Sequence, residues 1–298
     1  MIQDPVAVVA VLLTVLAVLF AAERHPVVGK LFRYVPLIVF AYFVPTLLSN
    51  VGILPLEAPA YGFVKKTLLP ASWLLLTLSV DLPTISRLGN PSVLLFLAGT
   101  ASIFLGSLVA YGTVGWLIPK EMHADAWKGL AALCGSWIGG GANFVAVGES
   151  MKTPASMLGV MVIVDVAVAS VWMACLLFFA GREKALDEKI GARRDTIDEV
   201  RAKVEQFHAK VSRPGTLRDF VLIAAIAFGG TAACAAIAKQ LPDVGTIING
   251  FTWVVILVTA LGVGLSFTPL RKLEGAGASA IGSTFLYVLI ATIGAQGN

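Results

Sequence analysis

CGSWIGGGANFVAVGES, residues 134–150, sets three consecutive glycines and an asparagine inside an otherwise apolar run. Each glycine in a helix interior costs about 1 kcal/mol relative to alanine, and backbone groups freed in an apolar medium are costly unless something satisfies them. A segment carrying both costs reads as a helix broken at Gly139, Gly140 and Gly141 that lines a polar site. Carbonyls ending the first half-helix attract a cation, and N–H groups opening the second attract a polar or anionic group. Ser136 adds a hydroxyl just before the break and Asn143 a donor and an acceptor beside it. The competing reading is a tight helix crossing, in which the glycines admit a neighbour's backbone and Asn143 only caps.

The surrounding chain favours the first reading. Of its 298 residues 57% are hydrophobic and 13% charged, with a mean hydropathy of +0.86, values outside the range of soluble domains. They imply a polytopic membrane protein with the lipid bilayer as its constant partner. A net charge of +4 would point to nucleic acid in a soluble chain. Here the basic residues occupy short connections between apolar runs, so they are read as orienting the chain and meeting anionic lipid, with no nucleic-acid partner. Cys134, Cys175 and Cys234 lie in apolar segments and His25, His123 and His208 lie far apart, which gives no disulfide framework and no metal-ligand spacing. No serine–histidine–acid set or phosphate-binding loop is present, so enzyme activity is not expected.

Nine apolar stretches follow in order: residues 5–22, 34–51, 67–83, 91–119, 126–150, 155–180, 220–238, 247–267 and 280–294. The expected fold is all-α, a transmembrane bundle of about nine spans with the broken helix as the fifth. Pro45 is expected to kink the second span, and Lys65 and Lys66 to stand at the head of the third, where long side chains snorkel. The chain then divides into a first transmembrane block over 1–180, a charged linker over 181–218 and a last block over 219–298. In the linker Ile190, Ile197, Val200, Val204, Phe207 and Val211 form a stripe of coiled-coil spacing. Ten Lys and Arg there are offset by seven Asp and Glu. The stripe reads as a solvated linker helix, or else as a dimerisation or regulatory element, so a homodimer is a candidate assembly. Its basic density favours a cytoplasmic linker and, across an even number of spans, a cytoplasmic N-terminus.

Two further features belong to a transporter. Asp165, near the middle of the sixth span, would cost about 3 kcal/mol or more if ionised in lipid, so it should face the protein interior. With Asn143 it forms the candidate sodium site, or it carries a proton; the structural alternative is a carboxylate satisfied by neighbouring hydroxyls. The third and eighth spans also end alike. Leu78-Ser79, Pro83 and Arg87-Leu88-Gly89 are matched by Leu265-Ser266, Pro269 and Arg271-Lys272-Leu273-Glu274-Gly275. Five crossings separate the two ends, the arithmetic of an inverted-topology repeat.

The run Gly135-Ser136-Trp137-Ile138-Gly139-Gly140-Gly141-Ala142-Asn143-Phe144-Val145-Ala146-Val147, with Val164-Asp165 and the late Ile293-Gly294-Ala295-Gln296, resembles the DUF819 family of membrane proteins over essentially the whole chain. The resemblance implies kinship with cation/proton antiporters and bile-acid-type sodium symporters, whose broken helices cross at mid-membrane. Such proteins continue into a second glycine-rich broken helix. This sequence ends before one, so residues 219–298 are expected to be an incomplete second repeat. The expectation is a secondary transporter in the cell membrane, moving a small solute coupled to sodium or protons through Ser136, Gly139, Gly140, Gly141, Asn143 and Asp165. The alternatives are a non-transporting scaffold or sensor acting through the charged linker, and a channel.

Overall fold

A computed structural model of the chain describes residues 2–33, 35–80, 90–180, 213–245 and 248–297. Regular structure among them is helical, apart from one isolated bridge between Val244 and Ile248. The helices are α1 (Pro5–Glu23), α2 (Leu37–Asn50), α3 (residues 59–78), α4 (Asn90–Val114), α5 (His123–Gly139), α6 (Gly141–Ser150), α7 (Ala155–Ala180), α8 (Leu217–Ala238), α9 (Gly250–Ser266) and α10 (Ala278–Ala295). A 3-10 segment, Pro269–Ala276, leaves the end of α9 at 97°.

Polar caps start three of the described apolar helices. The Asp4 carboxylate accepts from Ala7 N at 2.7 Å ahead of α1, with Pro5 in its first turn. Thr216 and Asp219 form a reciprocal capping box on α8, and the Asn249 side chain accepts from Phe251 N and Thr252 N on α9.

Five helical stretches are long and apolar enough to cross a membrane: Pro5–Glu23, Val93–Leu117, Ala155–Leu177, Leu217–Ala238 and Ala278–Ala295. A sixth is added if α9 and its bent extension count as one. The nine expected spans are therefore not all recognisable by length and composition. Helix α2 has 14 residues, α3 carries two lysines, and α5 and α6 are diluted by glycine and polar groups. A helix turned toward other helices needs no apolar exterior all round.

The third span departs from its expected bounds. It begins at Pro59, a favourable first-turn residue, and ends at Leu78, so Lys65 and Lys66 stand inside it on a π-turn, Val64–Leu68. Helix α2 runs on across Pro45, which is buried within it. The linker stripe between 181 and 212, and Asp81 to Gly89 of the first repeat copy, lie outside the described residues.

Helix α10 is the axis of the bundle, 56% buried. Small residues let its neighbours close on it. A Cβ at Gly294 would overlap the Tyr42 carbonyl oxygen of α2, and one at Gly282 would lie 3.2 Å from Ser72 O of α3. Hydroxyls then bind the exposed backbone: Thr46 Oγ1 donates to Gly294 O at 2.8 Å and Ser49 Oγ to Ala295 O at 2.6 Å. Helix α3 packs in turn on α8 and α9 through Leu74, which meets Cys234, Val254 and Val258. Helices α4 and α7 stand at the periphery, with 0% and 6% of their apolar windows buried.

These contacts fix helix directions. Ile2 N donates to Ile53 O, which puts the start of α1 beside the α2–α3 connection. Asn249 Nδ2 donates to Ser150 O at 3.1 Å, and Lys65 Nζ lies 2.8 Å from Glu149 Oε1. One end of the bundle, the N-terminal end, thus gathers the starts of α1, α3, α7 and α9 and the ends of α2, α6 and α10. The starts of α4 and α8 lie at the opposite end.

Candidate functional site

The glycine run ends one helix and begins another. Gly140 has φ 82° and ψ −174°, a conformation that side chains disfavour, and its N–H closes the last turn of α5 on Ser136 O at 2.6 Å. Phe144 N donates back to Gly140 O at 3.2 Å and opens α6. The two helices do not continue in line. A Cβ at Gly135 would lie 3.1 Å from Val147 Cγ2 and 3.2 Å from Asn143 O, and Asn143 Nδ2 fills the space where a Cβ on Gly139 would stand. Residues 12 apart in a straight pair of half-helices would be separated by roughly 18 Å. The chain therefore reverses at Gly140, and the expected single span over 126–150 is corrected to a helical hairpin.

Contacts with α7 give the depth of that hairpin. A Cβ at Gly129 would lie 2.9 Å from Met157 Cγ, and one at Gly148 would lie 2.8 Å from Leu158 Cδ2, so both open ends of the hairpin sit beside the start of α7. Further in, Ser136 Oγ donates to Asp165 Oδ2 at 2.6 Å. Helix α5 thus runs parallel to α7. Asp165 lies ten residues along α7, about 15 Å from its start, half the thickness of a hydrocarbon core of roughly 30 Å. The glycine tip lies a turn beyond, with Gly139 and Gly140 exposed.

The returning arm is tied to the scaffold. Phe144 and Val145 are buried in the main core, Ala146 is buried as well, and Gly141 faces Ile38 of α2. At the far end of α6, Glu149 pairs with Lys65 from the π-turn of α3, while Asn249 holds the Ser150 carbonyl. Tyr42 OH donates to Ala155 O at 2.6 Å and fixes the start of α7. The sequence reading missed these partners. For the ion pair the signal was Lys65 standing in an apolar run, while Lys152, three residues after Glu149, offered a nearer counter-charge than the one the fold uses.

Of the expected site residues, Ser136 and Asp165 are in direct contact, and Gly139 and Asn143 are in contact across the tip. Among the described residues no hydrogen bond joins Asn143 to Asp165, and no group of three or more His, Cys, Asp or Glu side chains is gathered for a metal. Trp137 lines an apolar cavity of about 520 Å³ between α4, α5 and α7, with Cys134, Tyr111, Val164 and Val168. At the tip the last carbonyls of α5 and the first N–H groups of α6 lack helical partners, as at every helix end. Both polarities therefore meet at the Gly140 reversal, one turn beyond the Ser136 that binds the Asp165 carboxylate.

A family model described as "Protein of unknown function (DUF819)" matches residues 10–298. The chain belongs to the DUF819 family. Over 131 residues this DUF819 chain is 30% identical to the "Uncharacterized membrane protein YjcL" of Bacillus subtilis (strain 168). The match takes in 44% of this chain and 31% of YjcL's length. No solved structure matches it. With a membrane-protein relative and several helices apolar enough to span a bilayer, the DUF819 chain is an integral membrane protein.

Proposed function

We propose that this DUF819 protein is a secondary transporter that binds a small solute and a coupling cation, sodium or a proton, at the tip of the α5–α6 hairpin. The observation that carries this reading is the Ser136–Asp165 hydrogen bond at 2.6 Å, about halfway along α7 and one turn from an exposed glycine reversal. A carboxylate at that depth is costly unless it is used or well satisfied, and it has one hydroxyl partner. Asp165, with Ser136 and the α5 carbonyls, supplies the cation side of the site. Asn143 and the N–H groups that open α6 supply the side that receives the solute. The kinship with inverted-repeat antiporters and symporters implied by the glycine–asparagine run agrees with this assignment.

In this reading the membrane is crossed by α1, α2, α3, α4, α7, α8, α9 and α10, and the α5–α6 hairpin enters from the N-terminal end and leaves by the same end. Helix α6 has ten residues, about 15 Å, enough to return from mid-depth but too short to finish a crossing.

The test is uptake into proteoliposomes under imposed sodium or proton gradients, together with thermal unfolding of the purified chain in sodium against choline chloride. A bound cation raises the Tm in proportion to the logarithm of its concentration above Kd. Asp165→Asn is expected to fold, to lose the cation-dependent Tm shift, and to abolish gradient-driven uptake. Unchanged ion-coupled uptake in that variant refutes the assignment.

A further inference from the structure

We propose that the membrane face opposite the N-terminal end carries a binding site for the phosphate headgroup of an anionic lipid, between the start of α8 and the bent segment Pro269–Ala276. An open cavity of about 350 Å³ lies there, lined by Arg213, Arg218, Asp219, Lys272 and the apolar Leu222, Leu270 and Leu273, with Thr216 and Pro269. Three cations face one carboxylate. That carboxylate is already committed: Asp219 accepts from Arg213 Nη1 at 2.7 Å and Nη2 at 2.6 Å, from Thr216 N at 2.9 Å and from Thr216 Oγ1 at 2.7 Å. It also fixes the Arg213 guanidinium, which retains three further N–H donors. Glu274 of the same segment is turned elsewhere, accepting from Ser279 N and Oγ. Among the described residues no acid pairs with Arg218 or Lys272. The cavity thus holds two uncompensated cations beside a third that is held in position.

Its surroundings identify the ligand as amphipathic. The segment leaves α9 at 97° and so runs across the direction of the spans, the course of an interfacial helix. Leu217, next to Arg218, is 80% exposed, and Phe267, two residues before Pro269 of the lining, is 64% exposed. Exposed apolar side chains next to unpaired cations suit the boundary between acyl chains and headgroups, where basic clusters select anionic lipid. A free phosphate would satisfy the cations and leave this apolar rim without a partner. The site is distinct from the hairpin and holds whether or not the chain transports.

The test uses the full chain purified from membranes and exchanged into mixed phosphatidylcholine and phosphatidylglycerol, with lipid retention read by native mass spectrometry. Each surface cation is worth about fivefold in affinity for anionic lipid, so Arg218→Gln with Lys272→Gln should weaken phosphatidylglycerol retention roughly 30-fold and leave phosphatidylcholine unchanged. The charge-preserving pair Arg218→Lys with Lys272→Arg should retain the lipid. Lys120→Gln, at the N-terminal end, should have no effect. Equal retention by the double glutamine variant overturns the proposal. So does equal loss on Lys120→Gln, which would mean diffuse charge attraction, or displacement of the lipid by inorganic phosphate, which would assign the cavity to the free ion.

Discussion

At the scale of single residues, Gly140 and Asp165 do different work. Gly140 sets the direction of the chain. Its φ of 82° costs a side-chain-bearing residue about 1–3 kcal/mol when the surroundings insist on it. Nothing lies within 4 Å of the position a Cβ there would take, so the cost is conformational, with no steric part. Gly140→Ala is accordingly expected to lower stability by about 1–3 kcal/mol and to loosen the hairpin first. Hydrogen exchange should show faster exchange over 141–147, with α10 unaffected; uniform protection would mean that the reversal does not depend on glycine. Asp165 supplies the charge of the proposed site. Its hydroxyl partner comes from the helix that the reversal ends, so the position of the carboxylate's neighbour depends on Gly140 although the two residues do not touch.

At the scale of elements, the hairpin is held by its ends. The Glu149–Lys65 pair joins α6 to the π-turn of α3, with side chains 16% and 25% exposed. A pair this far from water pays for much of its attraction in lost solvation, and removing one partner leaves the other uncompensated. Lys65→Met should therefore destabilise the chain more than Lys65→Met combined with Glu149→Gln, and a double-mutant cycle should return a coupling of about 1–3 kcal/mol. Strict additivity would mean that the contact contributes nothing to seating the hairpin. The π-turn widens the helix where Lys65 must leave it, and such insertions are frequent at functional positions. Proline at the first turn of α3 and the lysines six residues later were both visible in the sequence. Their meaning was not, because a lysine in an apolar run looks the same whether it snorkels to water or reaches a glutamate on another helix.

At the scale of the whole molecule, the proposed topology alters the parity of the chain. An expected fifth crossing would have put the N-terminus and the 181–212 linker on one face. In the proposed topology a hairpin that enters and leaves by the N-terminal end puts them on opposite faces, because α7 starts where α6 finishes. In a chain with Cys134, Cys175 and Cys234 replaced, an impermeant thiol reagent added to sealed cells should label a cysteine at Gln3 or one at Gly191, but not both. Labelling of both from the same side would restore the nine-crossing reading and remove the re-entrant hairpin.

What the sequence determined by itself was chemical type and local punctuation. Composition made this a membrane protein, apolar length marked α1, α7 and α8 to within a few residues, and three glycines with a serine, an asparagine and a mid-span aspartate marked the candidate site. Each of these is a property of a short window, in which the cost of glycine in a helix or of a carboxylate in lipid can be weighed without knowing what lies opposite. Only the tertiary structure decided that the chain turns back at Gly140, that Ser136 meets Asp165, and that Lys65 is answered by Glu149. A glycine allows both a kink and a reversal, and which one occurs depends on whether Gly135 and Gly139 have Asn143 and Val147 to close against. All four residues lie within 134–150, but whether they meet depends on the seats that Ile38 of α2 and Met157 and Leu158 of α7 give the two arms, and that stretch does not contain them.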